Sequence, residues 1–140
     1  MTDIANEPTT SALEQFATSV RRVEKPWGHE LIWALTDRYC GKLLVVNEGH
    51  ALSLQLHERK DETLYLQSGL AELEIGRGAD ALETVLLTPG AAFHLPPMTV
   101  HRMRALEDSV FLEVSTPELD DVVRLEDRYG RARTTAEEAP

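Results

Sequence analysis

The sequence predicts an all-β barrel or sandwich, and three observations carry that expectation. Short apolar runs follow one another from residue 31 to residue 115. Turn residues break them at close intervals: Asn47-Glu48-Gly49, Ser68-Gly69, Pro89-Gly90 and Pro96-Pro97. The clearest run alternates, with Leu52, Leu54 and Leu56 on one face and Ser53, Gln55 and His57 on the other. Many short strands with regular turn signals point to a sandwich or a closed β architecture rather than to alternating helices and strands.

Taken in order, residues 1–11 are polar, rich in Thr, Ser, Asn and Pro, and read as loose. Ser11 followed by Glu14 has capping-box spacing and opens an expected helix over 12–22. Strands are expected at 31–34, 42–46, 52–57, 64–67, 70–75, 82–87, 92–95, 100–105 and 110–115. The stretch 117–129 is a second place for helix, and 132–140 reads as a disordered tail. The expected organisation is an extension over 1–22, one domain over 23–131, and the tail. Of the two tryptophans, Trp33 is expected in the core and Trp27 as a plug at one end of the barrel.

Composition limits function. A chain of 140 residues buries a real core without disulfides, and Cys40 is the only cysteine. No apolar stretch reaches the length of a membrane span, and the first ten residues lack the pattern of a signal peptide, so the expected address is the cytoplasm. A formal net charge of -10 argues against a protein that tracks nucleic-acid phosphates. It leaves room for a locally basic pocket and a small anionic ligand.

Four residues stand out as metal ligands. Gln55 and His57 share a strand face. Glu62 follows across the charged segment 58–61, at a spacing that suits a hairpin bringing it beside His57. His101 opens another strand after the Pro96-Pro97 break. Two imidazoles and a carboxylate make a facial triad with open positions, and a Gln55 amide oxygen would add a fourth ligand. Such a mixed site takes one divalent metal, and Zn, Mn, Fe, Ni and Co all suit it.

The frame around these residues resembles the two cupin motifs. Gly49, Gln55-Leu56-His57, Glu62 and Gly69 fall at the spacing of the first, and Gly90, Pro96 and His101 at that of the second. The resemblance implies a double-stranded β-helix, the jelly-roll barrel. A narrower likeness covers residues 23–131, which resemble the cupin domain of type II phosphomannose isomerases. It is carried by Lys25-Pro26-Trp27-Gly28, Lys42, Ser53-Leu54-Gln55-Leu56-His57, Glu62, His101-Arg102 and the closing run from Val123 to Arg131. In that family the Gln, His, Glu and later His bind the metal. Met98 stands where the family has glycine, and the sequence holds no counterpart of the guanylyltransferase domain found in bifunctional relatives.

The resemblance implies an aldose–ketose isomerase of a sugar phosphate such as mannose 6-phosphate, and a homodimer. The catalytic candidates are Lys60 and Arg131, with Arg59, Glu74 and His94 as further possibilities for the proton transfer. Lys42, Arg124 and Arg131 are candidates to hold phosphate or hydroxyl groups. On position alone, Arg124 and Arg131 read as surface ion-pair partners of Glu126 or Asp127. Two other readings stand beside the isomerase: an iron-dependent dioxygenase of a small molecule, and a binder of sugars or other small ligands that catalyses nothing.

Overall fold

The computed structural model describes residues 11–131. Within them the chain forms one short helix, α1 (Ala12–Phe16), and eleven strands. These are β1 (Arg21–Lys25), β2 (Gly28–Leu35), β3 (Cys40–Val46), β4 (Leu54–Leu56), β5 (Glu62–Ser68) and β6 (Ala71–Gly76), then β7 (Leu82–Leu87), β8 (Ala92–Leu95), β9 (Val100–Ala105), β10 (Ser109–Ser115) and β11 (Val123–Glu126). They build two antiparallel sheets, one ordered β1-β2-β3-β10-β5-β8 and the other β11-β4-β9-β6-β7. The chain repeatedly changes sheet, so sequential strands face each other across a shared interior. That is the double-stranded β-helix.

The interior has two parts. Trp27, Leu44, Val46, Leu64, Leu66 and Phe111 meet Ala71, Leu73, Leu87, Met103 and Ala105 in a closed apolar core. The rest of the inner surface is polar and carries Glu30, Lys42, Lys60, Glu62, His101 and Glu113, all buried. The same strands supply both parts: Leu44 and Lys42 lie two apart on β3, and Phe111 and Glu113 two apart on β10.

Several expectations are corrected. The helix stops at Phe16, although its capping box forms between Ser11 and Glu14. No residue of it is buried, and a helix this short has too few bonds to extend against the pull of β1 into the sheet. Stretch 117–129 contains no helix; β11 instead pairs with β4. The alternating run pairs as a strand only over Leu54–Leu56. The loose segment over 1–10 and the tail over 132–140 lie outside the described residues.

Trp33 is 46% exposed rather than in the core. Glu30 and Ile32 point inward on β2, so period-two alternation turns Trp33 outward, and the β2–β3 register then shifts between Ile32 and Ala34. Its ring lies over Gly41, where a Cβ would come within 2.8 Å of Trp33 Cζ2. Trp27 is 4% exposed and packs into the core beside the cavity, as expected of a plug. Its turn depends on Gly28, where a Cβ would stand 2.0 Å from the Val45 carbonyl oxygen.

Met98 has φ 72°, the one non-glycine residue in the left-handed region among those described. Its N–H donates to the His57 carbonyl at 2.6 Å, which fixes the approach to β9. The left-handed conformation costs a side-chain-bearing residue about 1 kcal/mol. Met98→Gly is therefore expected to raise stability by at most about 0.5 kcal/mol, after the roughly 0.5–1 kcal/mol that glycine's unfolded-chain entropy costs. Urea titration checks this, and a loss of stability would contradict it.

Candidate metal centre

Gln55 on β4 pairs directly with His101 on β9, so the two side chains leave the same face of the five-stranded sheet. Glu62 opens β5 in the opposite sheet. The expected hairpin between His57 and Glu62 is thus absent, because β4 and β5 belong to different sheets. The turn over 57–61 crosses the end of the barrel instead, and His57 meets Glu62 across the interior.

Asp121 holds that turn. Its carboxylate accepts from the backbone N–H groups of Glu58, Arg59 and Lys60 at 3.1, 2.6 and 2.8 Å. Burial alone would raise the Asp121 carboxyl, but these three donors outweigh it and hold the group below its ordinary value. The Asp121 carbonyl oxygen also lies 2.6 Å from His57 Nδ1. One residue therefore fixes both the turn and the ring it delivers.

The geometry at the centre is tight. Glu62 Oε2 lies 2.9 Å from His57 Nε2 and 3.2 Å from His101 Nε2. The two rings are 5.3 Å apart, and His101 Nδ1 is 2.9 Å from the Thr99 carbonyl oxygen. Each Nδ1 faces a backbone acceptor and so carries the proton, which leaves each Nε2 with a lone pair aimed at Glu62. Glu62 Oε2 is buried and has no hydrogen-bond partner among the described residues. Lone pairs of two nitrogens and one oxygen converging without a donor call for a cation between them. His57, Glu62 and His101 form the one cluster of this kind among the described residues. Burial works against ionising Glu62, and the Lys60 ammonium, 3.6 Å from its other oxygen, works for it. Gln55 lines the same cavity, and its Oε1 accepts from Ser53 Oγ at 3.1 Å.

The cavity has a volume of about 620 Å³, counting space open to solvent. Lys42, Lys60, Arg124 and Arg131 all line it, as do Lys25, Glu30 and Glu113. Lys60 is 5% exposed, with Nζ 2.8 Å from Glu113 Oε2 and 3.6 Å from Glu62 Oε1. Burial alone would lower the Lys60 ammonium, but Glu113 and then Glu62 outweigh it and hold it charged above the ordinary lysine value. Arg131 pairs with both oxygens of Asp127 while lining the cavity. The C-terminal run also closes over the barrel: His50 Nδ1 is 2.7 Å from Tyr129 Oη, and Arg128 Nη1 donates to the Gly49 carbonyl at 2.7 Å.

Three suggested proton-transfer groups lie elsewhere. Arg59 is exposed. Glu74 pairs with Arg102 and Arg104, and His94 with Asp61, both away from the cavity. The sequence reading missed Asp121, Thr99, Glu30 and Glu113. Glu113 was detectable in principle, as the acidic member of an otherwise apolar strand; Thr99 and half of Asp121 act through backbone carbonyls, which no residue type announces.

Two sheets closed around a His/Glu/His cluster of this kind define a cupin. The chain belongs to the family described as Mannose-6-phosphate isomerase C-terminal, whose model matches residues 13–127. It is 34% identical over 129 residues to the xanthan biosynthesis protein XanB of Xanthomonas campestris pv. campestris, covering 86% of this chain and 26% of XanB. It is 32% identical over 123 residues to the alginate biosynthesis protein AlgA of Pseudomonas putida, covering 82% and 24%. The chain thus spans about a quarter of the length of these curated relatives. Among solved structures it resembles KdgF from a Halomonas species, with TM-score 0.63, 29% identity, and 74% of this chain and 91% of KdgF covered. It also shares its fold with Bacillus subtilis oxalate decarboxylase, a protein with Mn(II) centres, at TM-score 0.64 and 22% identity over 74% of this chain and 29% of that one.

Two outcomes follow. Asp121→Ala should leave the fold in place and weaken metal binding by roughly 10–100-fold, read by competition with a chromophoric chelator. Unchanged affinity would remove the Asp121 carboxylate, and the turn it holds, from any role in metal binding. Burial would raise Asp127, but hydrogen bonds from Arg131 hold it below its ordinary 3.8. A depressed carboxylate stabilises the fold above its unfolded value, and that contribution is lost as pH falls through the folded value. Urea titrations of wild type and Asp127→Asn should therefore differ at pH 7 and converge below pH 3.8.

Proposed function

We propose that this cupin is a metal-dependent aldose–ketose isomerase of a sugar phosphate such as mannose 6-phosphate. The observation that carries the reading is the convergence of His57, Glu62 and His101 in a cavity also lined by Lys42, Lys60, Arg124 and Arg131, in a chain of this family. The residues fit one divalent metal: His57, Glu62 and His101 would hold it, with the Gln55 amide oxygen as a fourth ligand, and Zn, Mn, Fe, Ni or Co suits the set. When bound, it supplies Lewis-acid polarisation of the substrate carbonyl.

The chain's own residues supply the rest. Lys60, held cationic, is a poor base and serves to stabilise the oxygen that gains charge as an enediol forms. Glu113, which lines the cavity beside Lys60 and lies outside the metal-ligand set, is the carboxylate placed to move the proton between adjacent carbons. Arg124 and Arg131, delivered by the C-terminal run, hold hydroxyl or phosphate oxygens, as does Lys42.

We assign the protein to the cytoplasm and to a homodimer. The dimer reading is supported by the outer face of the six-stranded sheet, where Trp33, Tyr65 and Val114 are exposed. The dioxygenase reading keeps a place because the same triad leaves coordination positions open, and non-catalytic binding is the remaining alternative.

The protein loaded with each candidate metal in turn is expected to convert mannose 6-phosphate to fructose 6-phosphate, and chelation to abolish this. Lys60→Met should lower kcat by roughly a hundredfold with a smaller effect on KM. Stoichiometric metal without turnover would sink the isomerase; oxygen uptake with ferrous iron would then establish the dioxygenase.

A further inference from the structure

The cavity wall carries a second charged cluster, separate from the metal ligands. Lys25 Nζ lies 3.1 Å from Glu30 Oε2, and Lys42 Nζ lies 2.8 Å from Glu30 Oε1. All three side chains are largely enclosed, at 19%, 9% and 8% exposure for Lys25, Lys42 and Glu30, and all three line the cavity. Two ammonium groups share one carboxylate, so this end of the wall is locally positive, although Lys25, Lys42 and Lys60 together balance Glu30, Glu62 and Glu113. Lys60 has the opposite balance, one ammonium between the carboxylates of Glu62 and Glu113, and Arg131 is matched by Asp127. Glu113, the register partner of Lys42, is engaged by Lys60. Resting on the isomerase reading above, we propose that Lys25 and Lys42, held apart by Glu30, form the subsite for the anionic end of the substrate, across the cavity from the metal ligands.

Three points carry this. The first is cost. Buried ion clusters are expensive, and a protein that only needed packing here would do better with apolar residues. A cavity wall is where a locally positive cluster can meet an anionic ligand. The second is spacing. Strands β3 and β5 are separated by β10 alone, and Lys42 lies two residues along from the position in register with Glu62, so their α-carbons stand about 12 Å apart at ~4.8 Å per strand and ~3.4 Å per residue. That is the scale of a sugar with a metal at its carbonyl end and an anionic group at the other. The third is construction. Lys25 ends β1 and pairs with Gly28 across the Pro26-Trp27 turn. The buried Trp27 ring fixes that turn, so Lys25 is set by the core rather than left to sample solvent. The ligand class is a compact anion, phosphate or carboxylate, bound by point charges rather than by a planar fork.

The test uses full-length, metal-loaded protein and inorganic phosphate as the probe, followed by calorimetry. Wild type, Lys25→Met, Lys42→Met and Glu30→Gln are compared, each first shown to melt cooperatively and to hold wild-type metal content. Phosphate should bind wild type and weaken roughly tenfold or more in each lysine variant. Glu30→Gln should bind phosphate more tightly than wild type, because it frees both ammonium groups. A merely structural ion cluster predicts no gain from that change. Should Lys42→Met fail to fold, Lys25→Met carries the test, since its side chain is the more exposed. With mannose 6-phosphate, the lysine variants should raise KM more than they lower kcat. Phosphate binding that is absent, or equal in all four proteins, overturns the subsite. Turnover with KM unchanged in both lysine variants overturns the subsite and leaves the isomerase standing. Lysine-dependent phosphate binding without turnover keeps the subsite and removes the isomerase.

Discussion

The site depends on one carboxylate whose two oxygens have different neighbours. Glu62 Oε2 faces both imidazoles, while Oε1 faces the Lys60 ammonium. With one oxygen turned to Lys60, the carboxylate has the other free for the proposed metal, which would keep coordination positions open. Everything nearby serves to hold that arrangement. The Asp121 carboxylate gathers three N–H groups of the crossing turn, and backbone carbonyls of Asp121 and Thr99 orient the two rings. Orienting partners of this kind set ring tautomer and ligand strength as much as the ligands themselves do.

The barrel separates stability from chemistry along its own strands. One part of the interior is apolar, with Phe111, Leu66 and Leu73 almost completely buried. The other carries alternating charge across neighbouring strands: Glu30 on β2, Lys42 on β3, Glu113 on β10 and Glu62 on β5, with Lys60 just before it. Buried ions oppose folding unless paired, so each is paired, and the apolar part offsets the remaining cost. This is how an acidic chain comes to line one cavity with Lys25, Lys42, Lys60, Arg124 and Arg131. Net charge describes the outer surface, while the inner wall follows from strand register.

Much of this was legible in the sequence. Period-two alternation placed Gln55 and His57 on one face, and the two motifs brought Glu62 and His101 into the same set. What alternation does not encode is which sheet a strand joins. The short segment after His57 therefore read as a hairpin, when it crosses between sheets. Trp33 read as core because its side chain is large and apolar, but Glu30 and Ile32 are the inward residues of β2, and alternation puts Trp33 on the outer face. The C-terminal run stood as a second place for helix, yet it pairs β11 with β4 and closes over His50. Asp121 was invisible for a different reason. It lies 64 residues from His57 and touches it through a carbonyl oxygen, which every residue possesses.

The central claim is that a metal sits between His57, Glu62 and His101, and the most direct measurement is X-ray absorption at the edge of the metal bound to purified, reloaded protein. The account predicts a first coordination sphere with two imidazole nitrogens and oxygen ligands, and loss of imidazole scattering from one ring in His101→Ala. An all-oxygen sphere, or one unchanged in that variant, would contradict it.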